Sequence, residues 1–231
     1  MTEPASALVI VLLRAPSAPG KTRLTAGRSD MASFALRTAL AADTLAAAAA
    51  AGYPMLVSYT PDGAADEVRE LAAEAGVEAA SFLPQRGDDL GARMRHAFDD
   101  AFATGAAHVV LVGSDLPSLP PQHVSDAVAA LMSPADVVLG PTEDGGYYLV
   151  GVSQGRAGTA CEALFGEGVP WGTPDVLAVT LVRLRAAGLL VELAPPWFDV
   201  DEPGDLARVA EDAEAAPAPR TCAWIEAHAK A

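Results

Sequence analysis

The stretch ALVIVLLRAPSAPGKTRLT, residues 7 to 25, joins a short apolar run to a basic loop. The apolar run, residues 7 to 13, is too short to span a bilayer and follows no basic segment, so we interpret it as a buried strand rather than a signal peptide or membrane helix. Similar runs rich in Val and Leu recur between helix-favouring stretches. This pattern predicts an α/β fold, with a mostly parallel mixed sheet covered by helices on both faces.

The order of these elements predicts about seven strands and seven helices. The strands are expected at residues 7–13, 54–60, 77–83, 108–113, 136–140, 147–152 and 189–194. The helices are expected at residues 29–51, 63–75, 89–104, 121–132, 174–187, 203–213 and 221–229. A chain of 231 residues can bury one core but is too short for two average domains with a linker. We therefore expect one domain, residues 1–231, with a core over 7–213 and the last helix docked on it.

Composition excludes several classes of partner. The chain carries 30 acidic and 15 basic residues, a formal net charge of −15. Nucleic acids and anionic membranes bind basic surfaces, so neither is expected as a partner. Two distant cysteines, Cys161 and Cys222, provide neither a disulfide framework nor zinc-ligand spacing. We expect a cytoplasmic protein without membrane insertion, and the sequence leaves open whether two chains pair as a homodimer.

The basic loop after the first strand raises the question of a P-loop. Residues 15–22 match the Walker pattern except that Ala15 replaces its first glycine, and Lys21 is one of two lysines in the chain. A P-loop points successive backbone N–H groups at phosphate oxygens, whereas Pro16 and Pro19 each remove one donor. A P-loop NTPase remains one alternative, because the strand 108–113 could serve as its second motif.

A second interpretation is a cationic loop that holds a polyphosphate by side-chain charge. Lys21 and Arg23 lie within the loop, and Arg14 and Arg28 flank it. Four cations within fifteen residues form a local anion site in a chain with net negative charge. A solvated basic surface loop without a ligand is the third interpretation.

Aspartates follow predicted strands at two places. Asp115 comes directly after the strand 108–113, and Asp199 and Asp201 lie on one face of their segment if it is extended. Carboxylate oxygens suit Mg²⁺ or Mn²⁺, which often bridge carboxylates to substrate phosphates. Asp205 is interpreted as part of the start of the next helix. Because ligands sit at the carboxyl ends of strands in open sheets, we expect a phosphate and metal site there.

The segment EDGG, residues 143 to 146, allows two interpretations. Gly145 and Gly146 let the backbone approach a ligand or adopt positive φ, and Glu143 and Asp144 could bind hydroxyl groups or a metal. The same four residues could equally form a tight hairpin turn before a strand.

Five segments in this order carry a family resemblance over residues 7 to 210: PGKTRL, QRGDDLGARM, VGSDLP, GPTEDGGYYLVG and DVDEPGDL. The chain resembles small bacterial transferases of the GT-A type, the radical-SAM/selenodomain-associated and arsenosugar-type glycosyltransferases. These are similar to 2-phospho-L-lactate guanylyltransferase and the molybdenum-cofactor guanylyltransferases. The resemblance implies a GT-A-like nucleotide-diphospho-sugar transferase fold that binds a nucleotide and a small-molecule acceptor, with Mg²⁺ or Mn²⁺ as cofactor.

The resemblance also implies roles for individual residues. The catalytic group would be Lys21, Arg23 and Asp115, with the two cations on the phosphates. The metal ligands would be Asp115, Asp199 and Asp201. The nucleotide-binding residues would be Arg14, Gly20, Lys21, Thr22, Arg23, Gln85, Asp89, Gly91 and Arg93. The acceptor-binding residues would be Glu143, Asp144, Gly145, Gly146 and Tyr147.

Three functions agree with these features. The basic loop favours a nucleotidyltransferase that joins an NTP to a small phosphorylated acceptor and releases pyrophosphate, because a diphosphate donor would need less positive charge. A glycosyltransferase that moves a sugar from an NDP-sugar to a small acceptor is the alternative. Ser118, Glu202 and Gly204 depart from the residues usual in the family, which leaves open a non-catalytic nucleotide-binding protein.

Overall fold

The seven strands form one mixed sheet in a computed structural model that describes residues 7–77, 80–211 and 217–228. The strands are β1 (Ala7–Arg14), β2 (Met55–Thr60), β3 (Ala80–Pro84), β4 (His108–Gly113), β5 (Val137–Pro141), β6 (Tyr147–Ser153) and β7 (Val191–Leu193). Their spatial order is β3-β2-β1-β4-β6-β5-β7. Strand β6 runs antiparallel to β4 and β5, and the other neighbours are parallel. The predicted α/β fold with a mostly parallel sheet is confirmed.

The described part of the chain contains nine α-helices, of which seven connect strands and two follow the last strand. They are α1 (Thr22–Thr25), α2 (Asp30–Ala49), α3 (Ala65–Glu74), α4 (Leu90–Ala103), α5 (Pro121–Met132), α6 (Ala157–Phe165), α7 (Val176–Ala186), α8 (Pro203–Glu211) and α9 (Pro219–His228). Helix α6 was not expected from the sequence, because it contains Gly158 and begins without a side-chain cap. Residues 78–79, 212–213 and 229 of the predicted elements lie outside the described residues.

Alternating side chains of β1 supply two hydrophobic layers. Val9, Val11 and Leu13 pack with α2, α3 and α5, whereas Leu8 and Ile10 pack with α4, α6 and α7 on the other face. This follows from the two-residue period of a strand buried on both sides. The central position of β1 therefore fixes where its following loop emerges, next to the end of β4.

Helix α9 packs across α2 through one buried carboxylate. Asp43 of α2 is almost fully buried, and it accepts hydrogen bonds from the backbone N–H groups of Arg220 and Thr221. The Arg220 guanidinium also donates to Asp43, at 3.2 Å. Trp224 of α9 donates to the carbonyl of Ala32. The first turn of α9 thus obtains its hydrogen-bond acceptor from a distant helix.

No helix in the described residues is both long enough and apolar enough to cross a membrane.

Candidate active site

Three adjoining cavities lie at the carboxyl ends of β1 and β4, and Asp115 borders all three. The basic cleft, about 370 Å³, is lined by Arg14, Ala15, Gly20, Lys21, Thr22, Arg23, Arg37, Leu40, Ala41, Ser114, Asp115 and Asp201. The inner cavity, about 200 Å³, is lined by aliphatic side chains together with Asp115, Thr142, Asp144, Tyr147, Tyr148 and Asp199. The side cleft, about 460 Å³, includes Arg14, Gln85, Asp88, Asp89, Arg93 and Asp115. The sequence motifs therefore meet at one end of the sheet.

Lys21 lies at the centre of the basic cleft. Its ammonium group lies 2.7 Å from Asp115 Oδ2, contacts Asp201 Oδ1 and donates to the carbonyl of Val200 at 2.8 Å. Burial lowers the pKa of Lys21, but the charges and hydrogen bonds of Asp115 and Asp201 outweigh burial and raise the pKa above its ordinary value. Lys21 therefore stays protonated, and its charge is shared by two carboxylates.

The backbone of Lys21 is unusual as well. It has φ 56° and ψ 38°, the left-handed region, and no other non-glycine residue in the described chain has positive φ. This conformation costs a lysine about 1–2 kcal/mol. It places Lys21 at the N-cap of α1, where its carbonyl accepts from the backbone and the hydroxyl of Thr25. The loop therefore holds a strained residue that aims its side chain at the two carboxylates.

Two of the sequence interpretations of this loop are wrong. A P-loop continues directly into a long helix, whereas this loop enters the single turn of α1. A solvated basic loop would expose its lysine, but only 13% of the Lys21 side chain is exposed. The structure instead places the loop against carboxylates at the end of the sheet.

The other loop cations divide between the cleft and a separate contact. Arg14 donates to the carbonyl of Pro19 at 3.0 Å, and Arg23 pairs with Glu202 at 3.0 Å. The guanidinium of Arg28 lies 4.6 Å from the centre of the Trp224 ring, away from the cleft residues. Arg37 of α2 lines the cleft, although no sequence motif indicated it. The available signal was its position in the predicted helix that directly follows the basic loop.

Asp115 is positioned by a buried hydroxyl that no sequence motif indicated either. Thr44 of α2 is fully buried, and its Oγ1 accepts from the N–H of Leu116 and lies 3.0 Å from the carbonyl oxygen of Ser114. The carbonyl of Asp115 accepts from the N–H of Val200 at 2.9 Å. Asp115 is thus held between α2 and the segment before α8.

Asp199 and Asp201 face different cavities. Asp201 borders the basic cleft, while Asp199 borders the inner cavity. Burial raises the pKa of Asp199 to about 6, and the charge of Asp201 adds to the shift. Within the described residues no three His, Cys, Asp or Glu side chains are grouped to hold a metal ion. Asp115 and Asp201 converge, but they converge on the ammonium of Lys21.

Helix α8 begins with the capping arrangement expected for Asp205. The carboxylate of Asp205 accepts from the N–H groups of Asp201 and Glu202, at 2.9 and 2.7 Å. This bond pattern resembles one half of a capping box. It fixes the backbone of Asp201 opposite Lys21.

The side cleft contains Gln85, Asp89 and Arg93 of the segment QRGDDLGARM, and the first two bond to groups of the protein itself. Gln85 donates through Nε2 to the carbonyls of Leu13 and Ser58. Asp89 caps α4 by accepting from the N–H of Ala92 at 2.8 Å. Gly91 packs instead against Trp171, because a Cβ there would lie 2.9 Å from the indole nitrogen.

The EDGG segment is the turn of the hairpin that joins β5 to β6. Gly145 has φ +88°, and a Cβ on it would lie 2.0 Å from the carbonyl oxygen of Pro174. Asp144 accepts from Gly146 N–H, and Glu143 pairs with Arg208 at 3.2 Å. The hairpin interpretation is confirmed, and the turn also forms one wall of the inner cavity.

Tyr147 borders the inner cavity, but its hydroxyl is buried. Burial raises the pKa of Tyr147. The hydroxyl faces the buried side chain of Thr180 on α7, whose hydrogen bond opposes the effect of burial on the pKa.

The fold defines the class of this chain: an α/β protein whose structure is like that of nucleotide-diphospho-sugar transferases. The chain belongs to the DUF2064 family, which is described as "Uncharacterized protein conserved in bacteria" and matches residues 42–173. A phosphoenolpyruvate guanylyltransferase from Mycobacterium sp. (strain KMS) is 32% identical over 206 residues, 87% of this chain and 84% of that protein.

Solved structures agree with this class. A protein from Desulfovibrio desulfuricans G20, described as a "putative nucleotide-diphospho-sugar transferase", is 30% identical and superposes with a TM-score of 0.82 over 98% of this chain and 96% of its own. The manganese complex of Rv0371c from Mycobacterium tuberculosis H37Rv superposes with a TM-score of 0.55 at 18% identity, covering 90% of this chain and 100% of its own. At that identity the likeness shows the fold alone.

Proposed function

We propose that this protein is a metal-dependent nucleotidyltransferase that joins an NTP to a small phosphorylated acceptor and releases pyrophosphate. The observation that carries the proposal is the position of Lys21, between two carboxylates and inside a cleft lined by three arginines. Four cationic side chains line this cleft although the chain as a whole has a net charge of −15. Such a cleft suits a polyphosphate. The guanylyltransferase relative supports nucleotidyl transfer.

The arginines of the cleft would bind the phosphates. Arg14, Arg23 and Arg37 enter from three elements: the end of β1, the turn α1 and the helix α2. Each guanidinium group can bind two phosphate oxygens at once, and Lys21 adds a compact charge nearer Asp115. In nucleotidyl transfer these cations neutralise the charge that develops on the leaving pyrophosphate.

Asp115 and Asp201 fit a divalent cation. They offer hard oxygen ligands, and the ammonium of Lys21 already occupies a position between them as a stand-in cation. Two carboxylates suffice because Mg²⁺ is commonly held by one or two carboxylates, with water and substrate phosphates completing its ligands. When bound, the metal would stabilise negative charge on the α-phosphate.

The chain's own residues would orient the reaction at Asp115. The phosphate oxygen of the acceptor attacks the α-phosphorus of the NTP, a new P–O–P bond forms, and the bond from the α-phosphorus to the bridging oxygen breaks. The electron pair leaves with pyrophosphate, so no proton needs to move. Lys21 would exchange its carboxylate partners for phosphate oxygens as the nucleotide enters.

Pyrophosphate release tests the proposal directly. The protein is incubated with Mg²⁺, each of the four NTPs and a panel of small phosphate esters, and pyrophosphate is measured by an enzyme-coupled assay. One NTP with one class of ester should release pyrophosphate only with the metal present. A protein that binds nucleotide with the same affinity with and without metal, and releases none, would be a non-catalytic binder instead.

Manganese binding tests whether the Lys21 ammonium occupies the position of the metal ion. Manganese binding without nucleotide is followed by electron paramagnetic resonance. Lys21→Met removes the competing ammonium, so Mn²⁺ should bind about tenfold tighter, equivalent to about 1.4 kcal/mol. Arg28→Met, which changes a cation outside the cleft, should bind Mn²⁺ like the unaltered protein. Weaker binding by Lys21→Met would contradict the shared position.

Glycosyl transfer from an NDP-sugar is the second candidate. The Desulfovibrio structure, which aligns with nearly all of this chain, is described as a "putative nucleotide-diphospho-sugar transferase". The two reactions differ in their products, because glycosyl transfer releases free NDP and nucleotidyl transfer releases pyrophosphate. Release of NDP from an NDP-sugar without any pyrophosphate activity would decide for the second candidate.

A further inference from the structure

Helix α7 presents an exposed stripe on the side opposite the core. Its buried residues Val176, Thr180 and Leu184 follow one another at four-residue intervals and therefore share one face. Val182, on the other face, is 65% exposed. We call this face the α7 stripe; its exposed or partly exposed residues are Asp175, Ala178, Val179, Val182, Arg185 and Ala186. The stripe is apolar along its middle and charged toward both ends.

The α7 stripe adjoins an open groove between α6 and α7. The groove has a volume of about 570 Å³ and shares Ala186 with the stripe. Leu190, which follows α7 in the turn to β7, is 60% exposed. Monomer surfaces commonly expose single, scattered apolar side chains, whereas a larger apolar surface marks an interaction site. A stable interface needs about 800 Å² from each partner. One short helix does not supply that area alone, so the groove and the turn would extend the contact.

The two ends of the α7 stripe carry opposite charges. Asp175 and Arg185 are ten residues apart in the sequence, about 15 Å along the helix axis. Neither forms an ion pair with another described residue. If a second α7 packs antiparallel about a twofold axis at the level of residue 180, each Asp175 carboxylate lies level with the partner's Arg185. The same axis sets Val182 beside the partner's Ala178, whose small side chain leaves room for it. The stripe is therefore complementary to itself in charge and in shape.

We infer that the α7 stripe is the interface of a homodimer in which two α7 helices pack antiparallel. A second copy of the chain fits this surface because a twofold contact requires a self-complementary patch. A nucleic acid or an anionic membrane would require a basic surface, whereas the stripe has one acidic and one basic end. The N–H of Leu177 in α7 donates to the carbonyl of Gly145 at 2.9 Å, so the dimer would hold the helix that supports the EDGG turn. The interface itself does not depend on the proposed function.

Sedimentation of the full chain tests the interface. Analytical ultracentrifugation at several protein concentrations should show a reversible equilibrium between monomer and dimer. Val182→Glu buries a charge in the middle of the stripe and should raise the dimer Kd at least about tenfold. Met132→Glu is the control, because Met132 is 63% exposed at the end of α5, and it should dimerise like the unaltered protein. A chain that is monomeric at every concentration overturns the inference. A dimer that survives Val182→Glu, or that both variants weaken equally, overturns it as well.

An exchange of charges tests the antiparallel arrangement. Asp175→Lys alone would set a lysine against the partner's Arg185, and Arg185→Glu alone would set a glutamate against the partner's Asp175. Each should raise the dimer Kd about fivefold or more. The double variant restores opposite charges across the interface and should dimerise within about twofold of the unaltered protein. This rescue separates lost pairing from lost folding, which a second substitution would not repair. A double variant that dimerises no better than the single variants contradicts the antiparallel pairing.

Discussion

The basic cleft and the inner cavity share Asp115 but differ in almost every other physical property. The cleft contains Lys21 and three arginines, and its lysine is paired with two carboxylates. The cavity has three carboxylates, apolar walls and no cation among the described residues that line it. Opposite local fields on the two sides of one aspartate would sort a charged ligand from an uncharged one before any chemistry occurs. The contrast can be tested by altering each side, and Asp115 between them, separately.

The largest effect is expected from Lys21→Ala. Loss of the ammonium leaves Asp115 and Asp201 repelling each other and removes the charge nearest the reacting phosphate. Turnover should fall by roughly 100- to 1,000-fold, the range seen when one preorganised group is removed from a developing negative charge. Arg28→Ala is the control from the same loop, and it should stay within about twofold of the unaltered rate. Unchanged pyrophosphate release in Lys21→Ala would rule out the role given to the cleft.

The second largest effect is expected from Gly145→Ala, in the turn that forms a wall of the inner cavity. Gly145→Ala forces a side chain into the left-handed region and toward the carbonyl of Pro174, so unfolding free energy should drop by roughly 2–4 kcal/mol. The acceptor KM should rise while nucleotide affinity stays the same. Gly76→Ala is the matched control, because Gly76 has φ +79° and a Cβ on it would meet nothing within 4 Å, so it should lose only about 1–2 kcal/mol. A parallel loss of nucleotide affinity in Gly145→Ala would show that the two regions are coupled.

The sequence predicted the site residues that directly follow strands. Lys21 and Asp115 lie in the loops after short, continuous apolar runs, which are typical of strands buried on both faces, and parallel strands bring their carboxyl ends together. Arg37 and Thr44 were not found, because each lies within a helical stretch whose period shows burial but not which face meets the site. The sequence also did not predict that Asp199 and Asp201 border different cavities. Their segment is not a regular strand, so side chains two residues apart need not lie on one face.

The antiparallel course of β6 shows the same limit. Its apolar run resembles those of the parallel strands, and only the short EDGG turn marks the hairpin. Partners far apart in sequence, such as Asp43 with the first turn of α9, carry no local signal at all. The fold class was therefore predictable from the alternation of apolar runs with helix-favouring stretches, whereas the division into two cavities of opposite charge depends on tertiary contacts.

A third, smaller effect concerns the wall that both regions share. Thr44→Val keeps the shape of the side chain but leaves the N–H of Leu116 without its acceptor. Denaturant unfolding should show a loss of about 1–3 kcal/mol, the cost of one unsatisfied buried group. Turnover should fall modestly, with both nucleotide and acceptor affinities weakened, because Asp115 borders both regions. Thr38→Val, whose hydroxyl bonds only within its own helix on an exposed face, is the control, and an equal loss there would contradict the special role of Thr44.

The smallest effect is a pH dependence on the cavity side. His123 Nδ1 lies 2.9 Å from the hydroxyl of Tyr148, whose ring forms part of the cavity wall, and burial lowers the pKa of His123 despite the opposing charge of Asp126. Between the lowered folded pKa and the unfolded value of about 6.5 the unfolded chain binds more protons, so His123 makes stability fall as pH drops below that value. His123→Gln should remove this contribution. The difference in unfolding free energy between the two proteins, measured from pH 8 to pH 5, should therefore shrink toward acid by less than about 1 kcal/mol, since the ring is partly exposed. Nucleotide affinity in the basic cleft should be the same in both proteins at every pH. A difference in unfolding free energy that stays constant across the range would show that protonation of His123 does not affect the cavity wall.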